Sequence, residues 1–349
     1  MRNEVVKRDV SMDLLRIAAA MAVVLLHAAA KYVDGCEVAS LQWSAANVFD
    51  SSVRWCVPVF VMISGAFLLQ KDIAIGVLFR KYVWHLAVLQ LGWNLIYNMV
   101  KHQGLPSGSV GTFSYFLCPG DYHLWFLYML IGVYIAQPLV KKIVDGGLST
   151  YLLCLWFVTS VLLSGLRSRL FAGTSLSFLG ENVLVFPFSV SFVGYFVLGH
   201  YLYSEVALSQ KARRWIYALG LMGLMGGIVG THVLSSYRGS VQMFFYSYHN
   251  IMVLLVAVAL FVWCRYTDFT GPFHLRNRRV AGFVRACSDL TLGVYLIHVL
   301  VLENIYPAVY RQGVGSVVAI PLIWLSTVLL SFALSWLLRK IPVIGALVK

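Results

Sequence analysis

Ten apolar runs of roughly twenty residues divide the chain, near residues 10–32, 51–70, 81–100, 122–140, 149–167, 183–203, 214–232, 248–265, 288–309 and 315–338. A run of that length is what a helix needs to cross the hydrocarbon of a bilayer. Inside hydrocarbon the backbone finds no water to bond to, so only helices and closed barrels can span, and these runs have helical length. With 60% hydrophobic residues, 12% charged residues and a mean hydropathy of +0.80 over 349 residues, too little polar surface remains for an ordinary soluble core. The expected fold is all-α, a polytopic membrane bundle of about ten transmembrane helices. No connection between runs is long enough to fold alone, so residues 1–349 are expected to form a single domain.

The net charge of +13 first suggests nucleic acid, but the basic residues lie between the apolar runs, where cytoplasmic loops meet anionic lipid. With the amino terminus inside, nineteen of the 27 Lys and Arg residues fall on the cytoplasmic side. Lys31, Arg54, Lys101, Arg167, Arg169, Arg238 and Arg311 fall opposite, and Arg16 lies within the first run. That asymmetry places both termini in the cytoplasm. Nucleic acid is therefore not an expected partner, whereas the bilayer is. The opening stretch also resembles a signal peptide ending near Ala28-Ala29-Ala30, but it is long enough to span and carries charge within it. Six cysteines without a CxxC spacing indicate neither a metal cluster nor a disulfide framework. Cys36 and Cys118 both fall in outer loops, either as a bridge or as two separate thiols.

The first run, DVSMDLLRIAAAMAVVLLHAAAK, holds Asp13, Arg16 and His27 where ionisable groups are costly. Arg16 and His27 are eleven positions apart, which puts them within about 20° of one helical face and about 16 Å apart along the axis. Asp13 is three positions before Arg16 and can pair with it. Two readings fit this spacing. In one, the residues face a polar interior and form a site; in the other, Asp13 and Arg16 snorkel to the headgroups while His27 bonds a neighbouring helix.

Other stretches add candidates. VPVFVMISGAFLL places Pro58, Ser64 and Gly65 in the second run, where close helix packing explains them equally well. FRKYVWHL sets Arg80 and Lys81 at the inner end of the third. DYHLWFLYML puts His123, Trp125 and Tyr128 near the outer surface, as a site or as an interfacial aromatic belt. LTLGVYLIHVLVLENIY carries His298 and Glu303, whose five-residue spacing points them to different faces and so to separate partners. The inner connection 266–287 bears a basic RNRR run, a topology signal or a contact for an anionic cytosolic ligand. No His/Asp/Glu cluster has metal-ligand spacing.

DLLR with a histidine eleven residues after its arginine, then VPVF and SG, HLWFLY, GYFVLGHYL and finally YLIH, in that order, resemble the acyltransferase 3 family of integral membrane acyltransferases over nearly the whole chain. The resemblance is nearest to the short, single-domain type that O-acetylates surface polysaccharides such as the enterobacterial common antigen, since no hydrolase-like domain follows the tenth run. The family's RxxR pattern at the third helix is not kept: three residues after Arg80 comes Val83, with Lys81 adjacent to Arg80.

The resemblance implies acyl transfer, most simply of acetyl, from cytosolic acyl-CoA to a hydroxyl of a cell-envelope glycan or lipid-linked saccharide, in a bacterial inner membrane. It matches Arg16 and His27 to the family's arginine and histidine; with the candidates read from the residues, the expected catalytic group is His27, Asp13 and Ser64 and the expected acyl-CoA site is Arg16, Arg80 and Lys81. His123, Trp125, Tyr128, His298 and Glu303 are the expected acceptor site. Acetyl-CoA enters as donor substrate, and no permanently bound cofactor or metal is expected. His27 acts as general base or as an acyl-histidine nucleophile, and the oligomeric state stays open between monomer and homo-oligomer. The competing reading is a membrane carrier of an acyl or glycan-lipid substrate, although no duplicated halves or matching broken segments are visible.

Overall fold

The computed structural model describes residues 9–102, 104, 120–162, 188–269, 278–341, 345 and 348. Among these the chain is helical, with no strand. Helix α1 (Val10–Gly35) starts where the Asp9 carboxylate accepts from the amides of Ser11 and Met12, and ends with the Cys36 amide bonding the Tyr32 carbonyl. Its 26 residues rise about 39 Å, more than the ~30 Å of hydrocarbon. Ala19, Ala20, Ala28 and Ala29 are all buried along it. Such small side chains let neighbouring helices approach closely, and α1 is packed mainly against four of them.

Those neighbours are α2 (Leu41–Val53), α3 (Cys56–Leu68), α10 (Arg278–Tyr310) and α11 (Ser316–Leu338). Between α3 and α10 come α4 (Trp84–Lys101), α5 (Trp125–Asp145), α6 (Ser149–Trp156), α7 (Phe188–His200), α8 (Gln210–Arg238) and α9 (Ile251–Tyr266). Three π-helical turns adjoin them: Leu78–Val83 leads into α4, Phe157–Leu162 continues α6, and Tyr201–Glu205 continues α7.

Among the described residues, seven helices are long and apolar enough to cross a membrane: Val10–Gly35, Leu41–Leu68, Tyr122–Asp145, Gln210–Arg238, Phe244–Tyr266, Arg279–Tyr310 and Ser316–Leu338. The other three predicted runs also overlap helices, α4, α6 and α7, which are shorter or more polar. The second span begins ten residues before the apolar run that announces it. Gln42, Asn47 and Asp50 lower the hydropathy there, yet each has a partner in the bundle. The Gln42 side chain accepts from the Ser316 amide, Asn47 donates to the Ile228 carbonyl and accepts from the Tyr246 hydroxyl, and Asp50 pairs with Arg54. Pro58 lies in the first turn of α3, where its missing N–H breaks no helical bond.

Helices α3 and α7 meet backbone to backbone. A Cβ on Gly65 would fall 1.7 Å from the Phe196 carbonyl oxygen, and one on Gly199 would fall 2.0 Å from that of Met62. Glycine is required at both points. Cys36 is a free thiol among the described residues; Cys118 lies outside them, as do Arg276 and Asn277 of the basic run.

Candidate active site

Each half of α1 carries a polar cluster, the inner one towards Asp9 and the outer one towards Gly35. In the inner half, the Arg16 guanidinium donates to the Asp13 carboxylate and to the Ser288 hydroxyl oxygen, both at 3.2 Å, and the Ser288 hydroxyl donates to the same Asp13 oxygen at 2.7 Å. Asp13 is 2% exposed, so its charge is acceptable only because the cation and the hydroxyl meet it. The arginine side chain keeps 31% exposure. Ser64 belongs to this level of the bundle. Its hydroxyl donates to the Phe60 carbonyl at 3.0 Å and is bonded to Tyr134, whose hydroxyl feels the Arg16 charge.

In the outer half, His27 meets two aromatic neighbours. Its ring is edge-on to Tyr122 at 5.0 Å between centroids and stacked on His298 at 5.2 Å. His298 is itself 5.1 Å from His123. Local structure explains how the three histidines converge. The Asp121 carboxylate accepts from the Tyr122 amide and starts a 3-10 turn, Tyr122–Leu124, that delivers His123 to the interior before α5 begins. Gly120 makes room for this turn, since a Cβ there would press within 2.7 Å of the Asn94 carbonyl oxygen. His298 is set by its own helix: the ring Nδ1 lies 2.6 Å from the Tyr295 carbonyl. A carbonyl only accepts, so Nδ1 carries the proton and Nε2 of the neutral ring presents a lone pair. The Tyr295 hydroxyl donates to the His123 carbonyl, tying α10 to the turn.

His27 and His123 border a small cavity of about 20 Å³ lined by Val23, Leu26, His27, Cys56, Val57, His123, Trp125, Phe126, Tyr248 and Tyr295. Among the described residues, neither ring nitrogen of the buried His123 has a hydrogen-bond partner, and neither has Nε2 of His298. Buried polar atoms are nearly always paired, so partnerless imidazole nitrogens beside a cavity are open to a water or a ligand. The site therefore offers imidazole nitrogens to a molecule that enters the cavity.

The structure brings His27, His123, Trp125 and His298 together and disperses the other expected site residues. Tyr128 accepts from the Asn94 side chain at 2.8 Å and faces outward, 39% exposed. Glu303 bonds Lys31 at 2.5 Å, away from His298, as the different faces require. Arg80 and Lys81 are exposed on the π-helical turn before α4. Sequence reasoning missed Tyr295, Tyr248, Cys56 and Ser288. Tyr295 was within reach, being one helical turn before His298; Ser288 meets Asp13 across 275 residues and gives no local signal. The buried Asp50–Arg54 pair was also missed, although its i,i+4 spacing beside an apolar run is a usable sign. Among the described residues no group of three His, Cys, Asp or Glu side chains has the arrangement of a metal site.

A family model described as an acyltransferase domain, of the acyltransferase 3 type, matches residues 9–340. The chain belongs to this family. The match runs from the Asp9 cap of α1 to just beyond α11, so both polar clusters lie within the acyltransferase domain. No curated protein and no solved structure shows a significant match to the chain.

Proposed function

We propose that this membrane acyltransferase moves an acyl group, most simply acetyl, from cytosolic acyl-CoA to a hydroxyl of a cell-envelope glycan or lipid-linked sugar. In this reading the chain crosses a bacterial inner membrane ten times, with both termini in the cytoplasm. The observation that carries the proposal is the position of His27, on the wall of a cavity rich in imidazole and aromatic rings, on the same helix as Arg16 and about 16 Å outward from it. A pantetheine arm has roughly that reach, so a donor bound by phosphate near Arg16 would present its thioester near His27. Guanidinium and phosphate make the charge-assisted hydrogen bonds suited to that grip, and exposed Arg80 and Lys81 add charge at the entrance.

His27 serves as general base. Its imidazole takes the proton of the acceptor hydroxyl as that oxygen attacks the thioester carbonyl, and the imidazolium returns the proton to the departing CoA thiolate. The products are the ester and free CoA. His298 and His123 flank the incoming hydroxyl, Trp125 presents an apolar face to the sugar, and Glu303 lies further out on its approach, while Tyr128, a turn deeper in α5, braces Asn94. Asp13 orients Arg16 in this scheme, and Ser64, bonded to Tyr134 beside Arg16, lines the donor path.

The deciding experiment is reconstitution of the purified protein with radiolabelled acetyl-CoA and lipid-linked saccharides. Label should appear in the saccharide as a base-labile ester. Passage of intact glycolipid or CoA across the vesicle without a new ester would overturn the reading in favour of a carrier.

A further inference from the structure

A second group of cations lies at the same end of the bundle as the start of α1 and takes no part in the scheme above. The guanidinium of Arg213, in the first turn of α8, lies 4.7 Å from the ring centre of Tyr266. That of Arg265, at the end of α9, lies 4.6 Å from the ring of Tyr203 and 5.8 Å from that of Tyr266. Both tyrosines are fixed by their hydroxyls. Tyr266 accepts from the Leu208 amide at 2.8 Å, and Tyr203 donates to the Asp9 carboxylate at 3.0 Å. The Arg265 Nε also donates to the Tyr203 carbonyl at 3.4 Å. Two arginines are thus held against a rigid aromatic base, with their side-chain freedom already reduced.

Among the described residues neither Arg213 nor Arg265 has a carboxylate within ion-pair distance, and the buried Nε of Arg213 has no acceptor. Asp9, the acid bonded to Tyr203, is occupied by that hydroxyl and by the α1 cap. Lys211, Arg213 and Arg214 all fall in the opening turns of α8, whose first turn holds no acidic residue. Cations at the positive end of a helix dipole repel it as well as one another, and an anion relieves both repulsions. A planar guanidinium pair selects phosphate among the anions of the cytosol.

We propose that Arg213 and Arg265, held on Tyr203 and Tyr266, bind a phosphate ester at the cytoplasmic end of the bundle. Two molecules carry that chemistry there, the nucleotide end of the acyl donor and an anionic phospholipid headgroup. Position favours the first, a deepening that rests on acyl-CoA as donor. Tyr203 is tied to Asp9, seven residues and about 10 Å before Arg16 along α1, and His27 lies a further 16 Å or so outward. Platform, Arg16 and His27 follow one another in the order of nucleotide phosphate, diphosphate and thioester.

The test uses the full-length protein in detergent, comparing wild type, the Arg213→Gln/Arg265→Gln double variant, and Arg238→Gln at the opposite end of α8. Titration with CoA and with S-acetylpantetheine, which lacks the nucleotide, is read beside native mass spectrometry of retained phosphatidylglycerol and phosphatidylcholine. The expected result is a loss of about tenfold or more in CoA affinity for the double variant, consistent with charged hydrogen bonds, with S-acetylpantetheine affinity and Arg238→Gln unchanged. Unchanged CoA affinity with selective loss of phosphatidylglycerol would keep the phosphate site and assign it to lipid. No change in either, or equal losses for CoA and S-acetylpantetheine, would overturn the proposal. If wild type bound no CoA, the donor reading would fall while the lipid comparison still decided this site. Melting curves establish that the variants are folded; if the Gln pair melts early, Arg213→Lys/Arg265→Lys replaces it, retaining charge but losing the planar fork, with the same loss for CoA alone expected.

Discussion

The two halves of α1 handle the same difficulty, polar side chains deep in an apolar bundle, in opposite ways. The inner cluster closes on itself: Asp13, Arg16 and Ser288 bond one another, and the buried carboxylate has its cation and its hydroxyl. The outer cluster remains open. His27, His123 and His298 are positioned by ring packing and backbone bonds, while nitrogens of His123 and His298 stay without partners among the described residues. Closed networks hold structure, and open ones are available for chemistry. The comparison teaches that the outer half should register in activity and the inner half first in stability.

The largest effect belongs to His27→Ala. General-base catalysis is worth about 10²–10⁴ in rate, so acetyl transfer should fall by that much while gel-filtration and melting behaviour hold. Full activity in that variant would remove the base from the mechanism. Asp13→Asn comes next and acts on the closed half. Taking away the buried charge should lower stability by about 2 kcal/mol, below the usual range for a broken buried pair because the Arg16 side chain is 31% exposed. A melting temperature equal to wild type would show that the triad is incidental. Ser288→Ala loses a hydroxyl that touches both partners and should cost about 1 kcal/mol by the same measurement.

The smallest and sharpest effect is on stability in His123→Phe. Replacing a ring whose nitrogens are buried without partners by an apolar ring of similar shape should leave the melting temperature unchanged or slightly raised, while transfer falls. A clear drop in stability would mean that the histidine nitrogens are engaged after all, and the contrast between the halves would fail.

Much of this arrangement was legible in the chain because helices convert spacing into direction. Ionisable residues inside the opening apolar run marked α1 as the organising element, and the eleven-residue interval from Arg16 to His27 put both on one face. The five-residue interval between His298 and Glu303 likewise foretold separate partners, now seen as the histidine cluster and Lys31. Hydropathy failed where polar residues are satisfied by tertiary partners, which is why the start of the second span at Leu41 was missed. Spacing also could not tell which of several polar residues share a depth. Ser64, on α3, lies with Tyr134 near Arg16, whereas Cys56, two turns earlier on the same helix, reaches the His27 cavity.

The glycine contacts between α3 and α7 carry a mechanical consequence. With Gly65 against Phe196 and Gly199 against Met62, any sliding or rolling of one helix on the other would drive side chains into main chain, so the pair behaves as a single stiff slab. Cys56 and Val57, at the end of that slab, therefore give the cavity an immovable wall. Whatever widening admits a substrate has to come from the seams farther round the bundle, such as the one between α5 and the π-helical turn Leu78–Val83.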